Sequence, residues 1–136
     1  MRVLLAGSLS TLAAILMSWI FTGVLFRRFR KHTPSTWRDR TRMRSIGAIL
    51  VNDVLFGFAY AGFFQLLGGI GRFNIDNWIG MGLTFGIGCF MAVALPMCLS
   101  ILVLMRVHQG VIYGMLLDWL ATSVVAGLIC AYVLGR

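Results

Sequence analysis

The sequence predicts an all-α integral membrane protein: a bundle of four spanning helices joined by short loops. Two observations carry that reading. Of 136 residues, 60% are apolar and only 12% are charged, about half the charged share of a water-soluble domain. The apolar residues also fall into four blocks, each long enough for a bilayer core of roughly 30 Å, which takes about 20 helical residues to cross. Spanning strands would alternate polar and apolar side chains, and these blocks do not. Helices satisfy every backbone group within themselves. The composition excludes a secreted disulfide scaffold, a coiled coil and a disordered tail. With no repeat and no linker, residues 1–136 read as one transmembrane domain.

The first block, Val3 to Phe26, carries no charge. It is longer than the apolar region of a signal peptide and runs into Arg27, Arg28, Arg30 and Lys31, a stop-transfer flank, so it is expected to stay. Gly7, Thr11, Ala14, Ser18 and Thr22 recur at helical spacing along it as a small, weakly polar stripe. The basic loop 27–45 follows. Within it Thr36 and Asp39 have the spacing of a capping signal, and Pro34 suits a first helical turn. Arg38, Arg40, Arg42 and Arg44 are candidates for anionic lipid, at about 1 kcal/mol for each basic residue near an anionic surface.

The second block, Ile46 to Ile70, is interrupted only by Asp53, which shares a helical face with Gly57, Tyr60, Ala61 and Phe64. Gly68, Gly69 and Gly71 mark its end. They are no phosphate loop, because the Lys and the preceding strand are missing. The third block, Ile79 to Met105, holds the pair Gly82 and Gly86, whose spacing lets a neighbouring backbone come close. Its Pro96 removes a helical hydrogen bond and should kink the span, freeing the Ala92 carbonyl. The fourth block, Val111 to Leu134, is interrupted only by Asp118, on one face with Gly114, Ala121, Thr122 and Val125. Cys89, Cys98 and Cys130 all fall inside spans and read as small apolar side chains.

Charge asymmetry sets the expected orientation. The first and third loops together hold nine Lys and Arg, while the other side holds Arg2, Arg72 and Arg136. The first and third loops are therefore expected in the cytoplasm and both termini outside, in the inner membrane of a bacterium.

The two intramembrane acids are the most informative residues, because an acid at mid-membrane costs about 2.5 to 3.5 kcal/mol. Asp53 and Asp118 each lie seven residues into their blocks, roughly 10 Å below the cytoplasmic end. Counting to the same depth on the other helices adds Ser18 and Ser100, and Asn52 adjoins Asp53, so Ser18, Asn52, Asp53, Ser100 and Asp118 are expected to form one polar layer. Two readings of it stay open. In one, the acids pair with Arg44, Arg106 or hydroxyls and hold the helices in register. In the other, they bind a proton or cation.

Enzyme signatures are missing. There is no H-E-x-x-H and no G-x-S-x-G, and no metal site is expected, since His108 sits at the surface. The reading that follows is a non-enzymatic membrane protein acting through helix–helix association at Gly57, Gly82, Gly86 and Gly114. The alternative is a small transporter or channel for protons or cations using Asp53 and Asp118. Expected partners are the bilayer, anionic lipids and a second copy or a larger membrane protein. No nucleic acid and no cofactor are expected.

The second half of the chain carries a resemblance. Ala94-Leu95-Pro96, then Leu116-Leu117-Asp118-Trp119, then Val125-Ala126-Gly127-Leu128-Ile129 is similar to an uncharacterised bacterial family of small four-span membrane proteins, over about the last 50 residues. The resemblance implies the four-helix layout and a membrane location, and no activity.

The charge count generates a test. A cysteine introduced by Ser35→Cys should stay unlabelled by a membrane-impermeant thiol reagent in intact cells and react after the cells are opened; ready labelling in intact cells reverses the orientation.

Overall fold

The structure, a computed structural model, describes residues 1–25, 43–69, 77–104 and 108–134. Every element among them is helical, and four helices are long and apolar enough to cross a membrane. The first span is Arg2–Ser18, continued by a π-helical stretch, Trp19–Leu25. The second is Met43–Gly69. The third runs through Trp78–Cys89, a π-helical turn Phe90–Ala94 and Leu95–Leu104. The fourth is Gln109–Leu134. The second helix starts three residues ahead of its apolar block and takes in Arg44, whose side chain lies outside the described residues. The third starts at Asn77, whose side-chain oxygen accepts a hydrogen bond from the Ile79 N–H at 3.1 Å and so satisfies one of the free donors of the first turn.

Pro96 explains the π-helical turn before it. A proline ring in an α-helix collides with the carbonyl four residues back, here that of Ala92. Widening the preceding turn makes room for the ring and keeps the helix running.

The first span packs against both the second and the fourth, and the third packs against the fourth. The second and third spans lie apart for much of their length and meet through aromatic rings, with Phe85 against Tyr60 and Phe64 at 4.9 Å each. The best-buried core therefore sits toward the Trp78 end of the bundle. Ala6, Ala61, Ala126, Cys130 and Ala131 are sealed there around Tyr60, Phe64 and Phe85. Leu55, Leu66 and Val103 point outward. That inside-small, outside-large sorting is what a bilayer demands. Lipid is as apolar as leucine, so helices gain by close approach of small residues rather than by hiding large ones.

Glycine allows the closest approaches. A Cβ on Gly86 would stand 2.7 Å from the Ser123 carbonyl oxygen, and one on Gly82 would stand 2.8 Å from Leu128 Cα. A Cβ on Gly57 would stand 2.7 Å from the Gly7 carbonyl oxygen. Gly114 is also buried. These obstacles are backbone atoms, so a side chain there forces helices apart.

A paired substitution tests this. Gly86→Ala should lower unfolding stability in detergent by about 2 kcal/mol through overpacking. Gly88→Ala, with nothing within 4 Å of the new Cβ, should be neutral or slightly stabilising through helix propensity. Equal effects at the two positions would remove the close-packing account.

Candidate functional site

Asp53 lies one turn before Gly57, on the face that the first span presses against, and is only 7% exposed. Asp118 lies one turn before Thr122 on the fourth span and is half-buried. The two carboxylates come from helices that both pack against the first span, so that helix draws them toward one place. Both line a cavity of about 130 Å³ whose other polar walls are Ser18 and Asn52. Thr122 also lines it and points its hydroxyl at Asp118 Oδ1, 3.4 Å away. Ala14 supplies the small first-span wall, and Phe56 and Trp119 supply the aromatic one.

Four members of the expected polar layer, Ser18, Asn52, Asp53 and Asp118, thus border one cavity. Ser100 does not. It is exposed, and its hydroxyl donates to the Pro96 carbonyl of its own helix at 2.9 Å. The reason is the π-helical turn. Gly82 and Ser100 are 18 residues apart, five whole turns of an α-helix, so plain helical counting puts them on one face. The wider turn at Phe90–Ala94 takes up about one extra residue, roughly 100° of rotation, and carries Ser100 away. Arg38, Arg40, Arg42 and Arg106, with the side chain of Arg44, lie outside the described residues. No cluster of three His, Cys, Asp or Glu that could hold a metal ion occurs among the described residues.

Beside the polar cavity lies an apolar groove of about 300 Å³. Phe56, Ala59, Tyr60 and Phe63 of the second span face Cys89, Val93 and Ala94 of the third, and the fourth span closes the floor with Trp119 and Ser123. Phe56 and Trp119 belong to both spaces. Their rings meet edge to face at 5.7 Å and 73°, so one aromatic pair divides a carboxylate-lined cavity from an apolar one. The Tyr60 hydroxyl donates to the Ser123 carbonyl at 2.9 Å and anchors the second span to the fourth beneath the groove. Sequence reasoning had named Tyr60 only as a packing residue and did not find the groove. The one available signal was the helical spacing of Phe56, Tyr60 and Phe63, which does not distinguish a cavity wall from a packed core.

A protein-family model, Rce1-like, described as Type II CAAX prenyl endopeptidase Rce1-like, matches residues 1–114. No curated protein and no solved structure matches. The match takes in Asp53 and stops four residues short of Asp118. A membrane-protease family over that much of the chain overturns the non-enzymatic reading based on helix association. The family is also one of described activity, which corrects the resemblance to an uncharacterised one, and it is carried by the first 114 residues rather than the last 50.

Tyr60→Phe tests the anchor beneath the groove. It should cost about 1 kcal/mol of stability, the net worth of one hydrogen bond, in denaturation followed in detergent. No loss would mean that the Ser123 carbonyl gains nothing from the hydroxyl.

Proposed function

The chain belongs to the Type II CAAX prenyl endopeptidase Rce1-like family, and from that premise we propose that it hydrolyses a peptide bond near a prenylated cysteine, inside the membrane. The observation that supports this reading is the shared aromatic wall. An apolar groove and a two-carboxylate cavity adjoin at Phe56 and Trp119, and a prenylated peptide has the same two-part chemistry: an apolar chain joined through cysteine sulfur to a polar backbone.

The chain contains no Glu, and of its four Asp only Asp53 and Asp118 lie in spans. Carboxylate chemistry in the membrane therefore falls to these two. One carboxylate accepts a proton from water as the water oxygen bonds to the scissile carbonyl carbon. The other, protonated, gives its proton to the departing amine as the carbon–nitrogen bond breaks. The products are a carboxylic acid and an amine, and the pair has exchanged its protonation states. Thr122 orients Asp118. The Asn52 side chain, in the same cavity, is the group available to donate to the carbonyl oxygen as negative charge gathers there. The aromatic wall keeps bulk lipid off the reacting groups.

Location and orientation belong to the same proposal. The nine-to-three excess of basic residues supports a bacterial inner-membrane protein with its first and third loops in the cytoplasm. The polar cavity then lies toward the cytoplasmic face, and Arg38, Arg40, Arg42 and Arg44 meet anionic headgroups there.

The test is cleavage of a farnesylated peptide by the protein in nanodiscs, followed by mass spectrometry. Asp53→Asn and Asp118→Asn should each lower the rate by about a hundredfold or more, the scale of a lost general acid or base, and should leave the helix content intact. Full cleavage by both variants would exclude this pair, and no cleavage by the parent would exclude the activity.

A further inference from the structure

The groove has a built end. From Phe56 to Phe63 its second-span wall covers eight residues, roughly 10 Å of helix. At the Phe56 end it meets the polar cavity across the Phe56–Trp119 pair. One turn past Cys89, toward the Trp78 end of the third span, stands Phe85. It is 3% exposed, with its ring edge-on to Tyr60 at 4.9 Å and 73° and tilted against Phe63 at 5.9 Å. Phe64 holds it from behind at 4.9 Å and 87°. Gly82 and Gly86 on either side press that stretch of helix against the fourth span's backbone, which fixes where the Phe85 backbone stands.

We propose that Phe85 is the stop of the groove and determines how much of an apolar chain the site holds. This rests on the reading that the groove receives the substrate's prenyl chain. An extended chain advances about 1.2 Å per bond, so roughly 10 Å holds about eight bonds, the main-chain length of two isoprene units. The volume of about 300 Å³ is at the small end of ligand cavities. Phe63, beside Phe85 at this end, is 50% exposed, so a longer chain turns out into the bilayer past it. Carbon beyond the groove makes no close packing contact with its walls, whereas carbon within it does. The groove therefore rewards the first two units and is indifferent to the third.

The experiment measures competition by N-acetyl-S-prenyl-cysteine amides of one, two and three isoprene units against a radiolabelled two-unit amide, on the full chain in nanodiscs. With competitor concentrations taken in the bilayer, the step from one unit to two in the parent should strengthen binding about fivefold, and the step from two to three less than about twofold, since the gain in lipid comes from close packing against the groove walls and not from leaving water. In Phe85→Ala the second step should become as large as the first. In Ala59→Leu, which fills the groove from a position exposed at its margin, the two- and three-unit amides should fall to the affinity of the one-unit amide. A flat second step in a folded Phe85→Ala protein overturns the stop. Should Phe85→Ala not fold, unchanged two-unit binding by Ala59→Leu overturns it. Displacement by none of the amides in the parent overturns both the stop and the prenyl-groove reading. Chain-length steps as expected without peptide cleavage would leave the stop standing and remove the hydrolysis.

Discussion

The Ser123 carbonyl is where three spans are tied together. It faces Gly86 of the third span at a distance that leaves no room for a side chain, and it accepts the Tyr60 hydroxyl from the second. In a bilayer, apolar side chains gain little by leaving lipid for protein, so specificity falls to close backbone approach and to the few hydrogen bonds that cross between helices. Both act at this one residue. With the third span fixed by its glycines and the second by its tyrosine, Phe85 meets Tyr60 and Phe64 edge-on, and the space left beneath them becomes the groove. The first span repeats the device on the other side, where Gly57 faces the Gly7 carbonyl, and that contact brings Asp53 to the cavity that Asp118 also borders.

The polar residues away from the site follow a simpler rule. Ser8 donates to the Leu4 carbonyl, Thr11 to Gly7 and Ser100 to Pro96, each four residues back on its own helix. Such bonds satisfy a hydroxyl within its own helix, whether it is exposed, as in Ser8 and Ser100, or buried, as in Thr11. They also mean that a serine in a span says little about a site. Ser10 is different: it is fully buried and lies 3.6 Å from the Cys130 sulfur, between the first and fourth spans. The polar groups of the cavity are of both kinds: the carboxylates Asp53 and Asp118 and the Asn52 amide stand beside the hydroxyls of Ser18 and Thr122, and Thr122 turns its hydroxyl to Asp118 one turn back on its own helix.

Much of the fold was legible in the sequence. The four spans follow from hydropathy, since a continuous apolar block of that length has few other uses. The inward faces follow from small residues at helical spacing: Gly7, Thr11 and Ala14 on the first span, and Asp53, Gly57, Tyr60, Ala61 and Phe64 on the second, are all buried. Depth along a helix is also countable, which is how Asp53 and Asp118 were matched. Azimuth is not countable through a π-helical turn, and Ser100 was expected in the layer from its depth alone. The groove was invisible because it is a gap between the second and third spans, and a gap between helices has no residue pattern of its own. The enzymatic reading was missed because the family match extends over residues 1–114 as a whole and no short catalytic motif such as H-E-x-x-H or G-x-S-x-G marks it.

The uneven packing of the third span has a mechanical consequence. Its Trp78–Cys89 half is pressed backbone to backbone onto the fourth span, while its Leu95–Leu104 half is held far less extensively. It is therefore a rod fixed by packing at one end and, at the other, joined through the short link 105–108 to the start of the fourth span. From Gly86 to Leu104 the rod is roughly 27 Å long, so a tilt of about 5° at the fixed end moves its tip by about 2 Å. The stiffness of the third span is concentrated at the Phe85 end of the groove, and a tilt of the remainder shifts Val93 and Ala94, so it changes the width of the apolar groove and leaves the carboxylate cavity, which no third-span residue lines, as it is.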